Sequence, residues 1–168
     1  MIAERAGLSP GGVFTTFDDK IAILCQILAE QREHLFEEIE MLTPRLTGDA
    51  RDRIHSVMTL AHAHEWPRLR MVIAYIGASY GWSRKLEDEH RHLHRRLSKV
   101  MGEILTAAVE RGEIDQKADL ELLVEMISSV YLRNYRTAFY AGFDADDLND
   151  RVGRQLDLLF NGARPRLN

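Results

Sequence analysis

The chain has 168 residues, of which 45% are hydrophobic and 29% are charged, and its net charge is −4. This length suits one or two small domains with a real core, and the acidic balance argues against nonspecific nucleic-acid binding by the whole body. No apolar run approaches the ~18 residues of a membrane helix, no signal-peptide pattern is present, and the single Cys25 excludes an internal disulfide framework. We therefore expect a cytoplasmic protein without a membrane partner.

The first twenty residues, MIAERAGLSPGGVFTTFDDK, have the pattern of two short helices joined by a tight turn. Gly7 can adopt the positive φ that ends a helix and reverses the chain. Ser9 is a good N-cap for the next helix, and Pro10 suits its first helical position. This spacing predicts a helix-turn-helix, the motif that lays its second helix in the DNA major groove.

The second short helix would expose Gly11, Gly12, Thr15 and Thr16. Glycine allows close approach of the backbone to DNA, and threonine offers a hydroxyl and a methyl group to base edges. Each glycine inside a helix lowers the stability of that helix by about 1 kcal/mol relative to alanine. The presence of two adjacent glycines therefore favours a functional role for this pair. Lys20, at the start of the following helix, suits a phosphate.

The run IAERAGLSPGGVFTTFDDK resembles the helix-turn-helix of TetR-family transcriptional regulators. Family members have a further helix, usually with a basic arm, before this point, and we expect such a segment to supply the positive charge that residues 1–20 lack. Phe14 stands where the family commonly has a tyrosine whose hydroxyl reaches a phosphate. The DNA-binding residues implied are Ser9, Pro10, Gly11, Gly12, Phe14, Thr15, Thr16 and Lys20.

Residues 19–41 predict one long amphipathic helix, with apolar residues at helical spacing on one face and charged residues, including Arg32, on the other. Thr43-Pro44 ends it, because a residue before proline is pushed out of the helical region. In the TetR family this helix joins the DNA-binding head to the body. We therefore divide the chain into residues 1–41, a truncated DNA-binding region with its connecting helix, and 42–168, an effector-binding and dimerisation domain.

Five further helices are predicted in the body, over about 49–64, 69–81, 83–111, 119–140 and from 144 onward. The stretch 69–81 is apolar on nearly all sides, which predicts a central helix. The resulting fold class is all-α, with a helical body like that of TetR.

The last two predicted helices have more apolar surface than one core needs, with Tyr131, Tyr135, Leu156 and Phe160 spread around them. They could close a monomer core or pair with a second copy. The resemblance favours a homodimer through these helices, which would match the two-fold symmetry of palindromic operators.

Large flexible and aromatic side chains of the central helices suit an apolar ligand cavity, although such residues at helical spacing also form ordinary cores. His62 could be a polar anchor in that cavity or a core histidine. The resemblance implies a small, largely apolar effector between the body helices. The candidate ligand-binding residues are Met58, His62, Met71, Tyr75, Trp82, Leu97, Met101, Met126, Tyr131 and Tyr135.

Glu87, His90 and His94 have a spacing that can hold a metal ion on one helix face, as in helical-bundle metalloenzymes. The arginines on the same turns would repel a cation, so a salt-bridged helix surface is the preferred interpretation, with no metal. No nucleophile elbow, P-loop or dinucleotide motif is present, so we predict neither a cofactor nor an enzyme.

The leading hypothesis is a TetR-like homodimeric regulator, most often a repressor, that binds double-stranded operator DNA. An effector in the body would shift the 19–41 helix and weaken operator binding. The alternative is a ligand-binding or interaction dimer that lacks DNA binding because the first helix is absent.

Overall fold

The computed structural model describes residues 20–163. The predicted helix-turn-helix and its DNA-binding residues before Lys20 lie outside the described residues. The six described α-helices are α1 Lys20–Leu42, α2 Ala50–Glu65, α3 Leu69–Ser79, α4 Arg84–Glu110, α5 Leu120–Ala141 and α6 Ala145–Ala163. No strand occurs in this range, so the all-α prediction is confirmed. No helix between residues 20 and 163 has the length and apolar character needed to cross a bilayer.

Side-chain caps define where the body helices begin. The Asp49 carboxylate accepts a hydrogen bond from the Asp52 amide at 3.0 Å, and Asp119 caps α5 through the Leu122 amide at the same distance. These contacts satisfy amide groups that the first turn of a helix leaves unpaired. Gly142 ends α5 with φ = 70°, a left-handed conformation that glycine adopts without steric cost.

The core lies between α1, α2, α4 and α5, while α6 packs against α2 and α5. Met58 of α2, Met101 and Leu105 of α4 and Ile127 of α5 have no exposed surface. Full burial of such side chains stabilises a fold by about 1.5–3 kcal/mol each. This shared core fixes α1 directly against the other helices.

Two sequence predictions were wrong. Arg32, predicted on the charged face of α1, is only 5% exposed, because it lies three to four residues from Leu28, Leu35 and Phe36 on the buried stripe. The predicted central helix, α3, lies at the edge of the body. It packs on α1 and α5, only Val72 and Tyr75 are buried, and Tyr80 is 90% exposed.

Replacement of Gly142 by alanine should destabilise the protein by about 1–2 kcal/mol, since alanine has a Cβ that disfavours positive φ. Gly102→Ala is the matched control. Gly102 lies inside α4 with no atom within 4 Å of a built Cβ, so this variant should gain up to about 1 kcal/mol. Urea denaturation measures both, and equal effects of the two changes would contradict the assignment of Gly142 as the terminator.

Candidate functional site

A buried ion pair joins α1 to α2. The Arg32 Nε of α1 donates to the Glu65 Oε1 at the end of α2 over 2.8 Å, and the two residues are 5% and 4% exposed. The other carboxylate oxygen accepts from the Tyr131 hydroxyl at 2.5 Å and from the Tyr135 hydroxyl. A single carboxylate thus links three helices, α1, α2 and α5.

The electrostatics of this cluster keep both charges in place. Burial disfavours the charged form of Glu65, but the Arg32 charge and the two phenol hydrogen bonds outweigh it and hold the pKa of Glu65 below its usual value. Burial and the nearby Glu65 charge raise the pKa values of Tyr131 and Tyr135 well above the usual range, so both phenols remain donors. The cluster is therefore a salt bridge whose acceptor atoms are satisfied.

His62 lies beside the two tyrosines and is only 1% exposed. Its ring stacks on Tyr131 at 5.2 Å between centroids and meets the Tyr135 ring edge-on at 5.0 Å. Burial lowers the pKa of His62 to about 4, although Asn149 and Glu65 oppose that shift. Among the described residues neither ring nitrogen has a hydrogen-bond partner of ordinary geometry, and the lowered pKa keeps the ring neutral at pH 7.

A second aromatic group lies on the other side of Arg32. The guanidinium is 4.5 Å from the Tyr75 ring centroid, which is a cation–π distance. Tyr75 meets Trp82 edge-on at 5.0 Å, and Trp82 lies 5.0 Å from His90. Arg32 is therefore in contact with the edge helix α3 as well as with Glu65.

A small cavity of about 70 Å³ opens beside Arg32 between α1, α4 and α5. Its donors are a guanidinium, an imidazole and hydroxyl groups, and its other walls are largely apolar. Since one water occupies about 30 Å³ in the liquid, this volume suits a group as small as a carboxylate. The lining residues are Arg32, Phe36, His94, Leu97, Ser98, Ser128, Tyr131 and Leu132.

The structure gathers part of the predicted ligand set around Arg32. His62, Tyr131 and Tyr135 form one aromatic group, Tyr75 and Trp82 form the other, and Leu97 lines the cavity. The rest of the set lies elsewhere. Met58 and Met101 are fully buried in the core, Met71 is half-buried, and Met126 is 45% exposed.

Sequence reasoning missed Arg32 and Glu65 as site residues. Both lie on the apolar stripe of their own helix, Arg32 four residues after Leu28 and Glu65 four residues after Ala61. A charged residue at a core position of a helix is the signal that could have identified them, because such charges are seldom buried without a partner.

The possible metal site gains no support in the described chain. His90 is 9% exposed and lies against Tyr75 and Trp82, whereas His94 lines the cavity beside Arg32. Among the side chains that the structure describes, no three histidines, cysteines or carboxylates are grouped closely enough to hold a metal. Arginines of α4 pair with carboxylates instead, as in the contacts of Arg96 with Glu33 and Glu40.

The sequence of residues 44–152 matches a family described as "Tetracyclin repressor-like, C-terminal domain". No curated protein sequence gives a match. The family match covers well over half of the chain, including the whole of α2, α3, α4 and α5.

Solved structures of bacterial regulators share this fold. The transcriptional regulator FadR from Bacillus subtilis, crystallised with stearoyl-CoA, has a TM-score of 0.78 at 21% identity, over 97% of this chain and 87% of that one. The TetR-family regulator PfmR from Thermus thermophilus has a TM-score of 0.69 at 18% identity, over 98% and 87%. A TetR/AcrR-family regulator from Thermobifida fusca has a TM-score of 0.66 at 21% identity, over 98% of this chain and 85% of that one. At these identities the likeness is one of fold.

The ion pair can be measured by a double-mutant cycle. Arg32→Met and Glu65→Gln should each destabilise the protein by about 3–5 kcal/mol, because each leaves a buried group without its partner. The loss of unfolding free energy in the double variant, measured by urea denaturation at pH 7, should be clearly smaller than the sum of the two single losses. The exposed pair Arg91 and Glu87, with N···O at 3.6 Å, is the control and should couple by less than about 1 kcal/mol. Additive losses at Arg32 and Glu65 would contradict the pairing.

The buried ring of His62 makes stability depend on pH. Because its pKa is about 4 in the folded protein and 6.5 in an unstructured peptide, the unfolded chain binds more protons between these values. Stability should fall as pH drops from 6.5 to 4, with a slope of up to about 1.4 kcal/mol per pH unit. His62→Phe should flatten this part of the profile, whereas the exposed control His34→Gln should leave it unchanged. An unchanged slope in His62→Phe would refute the assignment.

Proposed function

Because the chain belongs to the TetR family of transcriptional regulators, we propose that it binds operator DNA as a homodimer and is released when a small ligand binds its body. We further propose that it acts as a repressor. In this proposal residues 1–41 form the DNA-binding head with its connecting helix, and residues 42–168 form the effector and dimerisation domain.

The observation that carries the proposal is the position of Arg32. This residue belongs to α1, the helix that leads from the head into the body, yet it is paired with Glu65 of α2 and lines the cavity between α1, α4 and α5. A ligand group entering that cavity would meet the same guanidinium that holds α1 in place. Binding would then favour one orientation of α1 over another, which is the differential affinity that a ligand-driven shift requires.

The ligand is proposed to be largely apolar with a small acidic or hydroxyl group. The aromatic and aliphatic residues around Arg32 supply the apolar surface, and Arg32, Ser98 and Ser128 supply the donors. The stearoyl-CoA of the Bacillus subtilis neighbour supports a ligand with a long apolar part. The proposed ligand-binding residues are Arg32 and the predicted residues that lie around it, namely His62, Tyr75, Trp82, Leu97, Tyr131 and Tyr135.

The DNA contacts are proposed for the segment before α1. Gly11, Gly12, Thr15 and Thr16 would face the major groove, Ser9, Pro10 and Phe14 would shape and orient the second short helix, and Lys20 would bind a phosphate. Lys20 begins α1 and is exposed, which leaves its ammonium group accessible to a phosphate.

The proposed dimer face lies on α5 and α6. Leu122 and Met126 of α5 are 50% and 45% exposed, and Leu158 of α6 is 75% exposed. Burial of these side chains against a second copy would remove apolar surface from water.

Operator binding is tested by selecting duplexes from a random pool with the full-length protein and measuring their affinity by fluorescence anisotropy. Thr15→Ala/Thr16→Ala should weaken a selected duplex at least about tenfold, since base contacts are lost. Thr47→Ala, in an exposed loop, should leave the affinity unchanged. The absence of any preferred duplex would refute DNA-binding regulation and favour a ligand-binding dimer.

Dimerisation is tested by analytical ultracentrifugation of Met126→Glu/Leu158→Glu. Two carboxylates per subunit in an apolar interface should convert the dimer to a monomer at micromolar concentration. Met41→Glu is the control, because Met41 is 62% exposed on α1, away from α5 and α6. A double variant that sediments as the wild type would place the interface elsewhere.

A further inference from the structure

A groove runs along the outside of the body between α3 and α5. Its lining combines the C-terminal part of α3 with the middle of α5, and beside it the Arg70 guanidinium lies 6.0 Å from the Phe139 ring. The groove encloses about 290 Å³, and the seven helical steps from Ile73 to Tyr80 give it a length of about 10 Å. Its lining residues are Ile73, Ile76, Gly77, Tyr80, Ser129, Leu132, Arg133 and Arg136.

The charged residues of this groove are all cationic. Arg133 and Arg136 line it, and Arg68 and Arg70 border an adjoining depression of about 340 Å³. In the described chain none of these four guanidiniums forms an ion pair, and neither lining contains a carboxylate. Some surface arginines, such as Arg96 and Arg111, have carboxylate partners, whereas others, such as Arg45 and Arg95, have none among the described residues. In a protein with a net charge of −4, two unpaired arginines in the groove and two in the neighbouring depression form a local site for negative charge.

Gly77 leaves space in the wall of the groove. It lies inside α3, where glycine costs about 1 kcal/mol relative to alanine. A Cβ built at Gly77 meets no atom within 4 Å, so packing inside the chain does not require a glycine there. Any larger side chain at this position would project into the groove. The small residue keeps the groove open.

The floor of the groove is apolar. Ile73, Ile76 and Leu132 are only partly buried, and the Tyr80 ring at one end is 90% exposed. An apolar floor bordered by free guanidiniums matches a molecule with an apolar chain and a polyanionic head. Arginine binds phosphate oxygens in bidentate geometry, so several arginines favour a phosphate-bearing head over a single carboxylate.

We propose that the groove between α3 and α5 binds an amphipathic, phosphate-bearing anion of the acyl-CoA class. Its chain would lie on Ile73, Ile76 and Leu132, and its phosphates would bind Arg133 and Arg136. The inference rests on the proposed function only where it makes this anion the effector, because binding in the groove can be measured without DNA.

The test is isothermal titration of the full-length protein with dodecanoyl-CoA below its micelle concentration, with dodecanoate and with CoA. Dodecanoyl-CoA should bind more tightly than either part. Arg133→Gln/Arg136→Gln should weaken it about tenfold or more, and added salt should reduce that difference. Gly77→Leu should abolish binding by filling the groove. Circular dichroism melts confirm that each variant is folded.

Matched controls separate the groove from general effects. Arg45→Gln/Arg95→Gln removes the same charge from exposed arginines that do not line the groove, and Gly102→Leu adds the same side chain to an open position of α4. Both should bind dodecanoyl-CoA like the wild type. Unchanged affinity in Arg133→Gln/Arg136→Gln or in Gly77→Leu overturns the site.

Two further readouts test what occupies the groove and what its ligand does. If Gly77→Leu converts the dimer to a monomer in analytical ultracentrifugation, a second copy covers the groove and the proposal is overturned. Anisotropy with operator DNA tests the effector role. Dodecanoyl-CoA that binds through Arg133 and Arg136 but leaves operator affinity unchanged supports the site and refutes ligand-driven release, whereas release lost in Arg133→Gln/Arg136→Gln supports both.

Discussion

The structure depends on one buried interaction, the ion pair between Arg32 and Glu65 with its two phenol donors. Two opposite charges away from water each have a desolvation cost of several kcal/mol, and their attraction offsets it only when hydrogen-bond geometry is good. Glu65 satisfies that condition through Arg32, Tyr131 and Tyr135 at the same time. The middle of α1, the end of α2 and the middle of α5 must therefore lie within hydrogen-bond distance of one point.

This constraint links the body to whatever precedes α1. Lys20 is twelve residues from Arg32 along the helix, which corresponds to about 18 Å, so a small rotation at Arg32 becomes a larger displacement at the start of α1. The cavity beside Arg32 is lined in part by α1, whereas the groove between α3 and α5 is linked to α1 through the packing of α3 against it. Arg32 contacts Tyr75 of α3, whose neighbours Ile73 and Ile76 form the groove floor. A ligand at either place would act on α1 through one or two intervening residues.

Sequence patterns predicted much of the fold and less of the site. Asp49 and Gly142 marked helix ends because caps and left-handed glycines are local features. The charge of Arg32 predicts an exposed position, whereas its spacing from Leu28 and Leu35 places it on the apolar stripe. Its partner Glu65 is 33 residues away, and no local signal connects them. The all-round apolar character of α3 could not show which face other helices cover, and the groove of Arg133 and Gly77 depends on how α3 packs against α5.

The most direct test of this account is the distance between the two α1 helices of a dimer. Spin labels at Gln26→Cys, an exposed position of α1 outside the proposed DNA contacts, report that distance by electron–electron double resonance in a Cys25→Ala background. The account predicts different distances with operator DNA and with dodecanoyl-CoA, and a broad distribution insensitive to ligand in Arg32→Met. The same distribution in the DNA-bound and ligand-bound wild type would contradict the claim that Arg32 couples the body to the head.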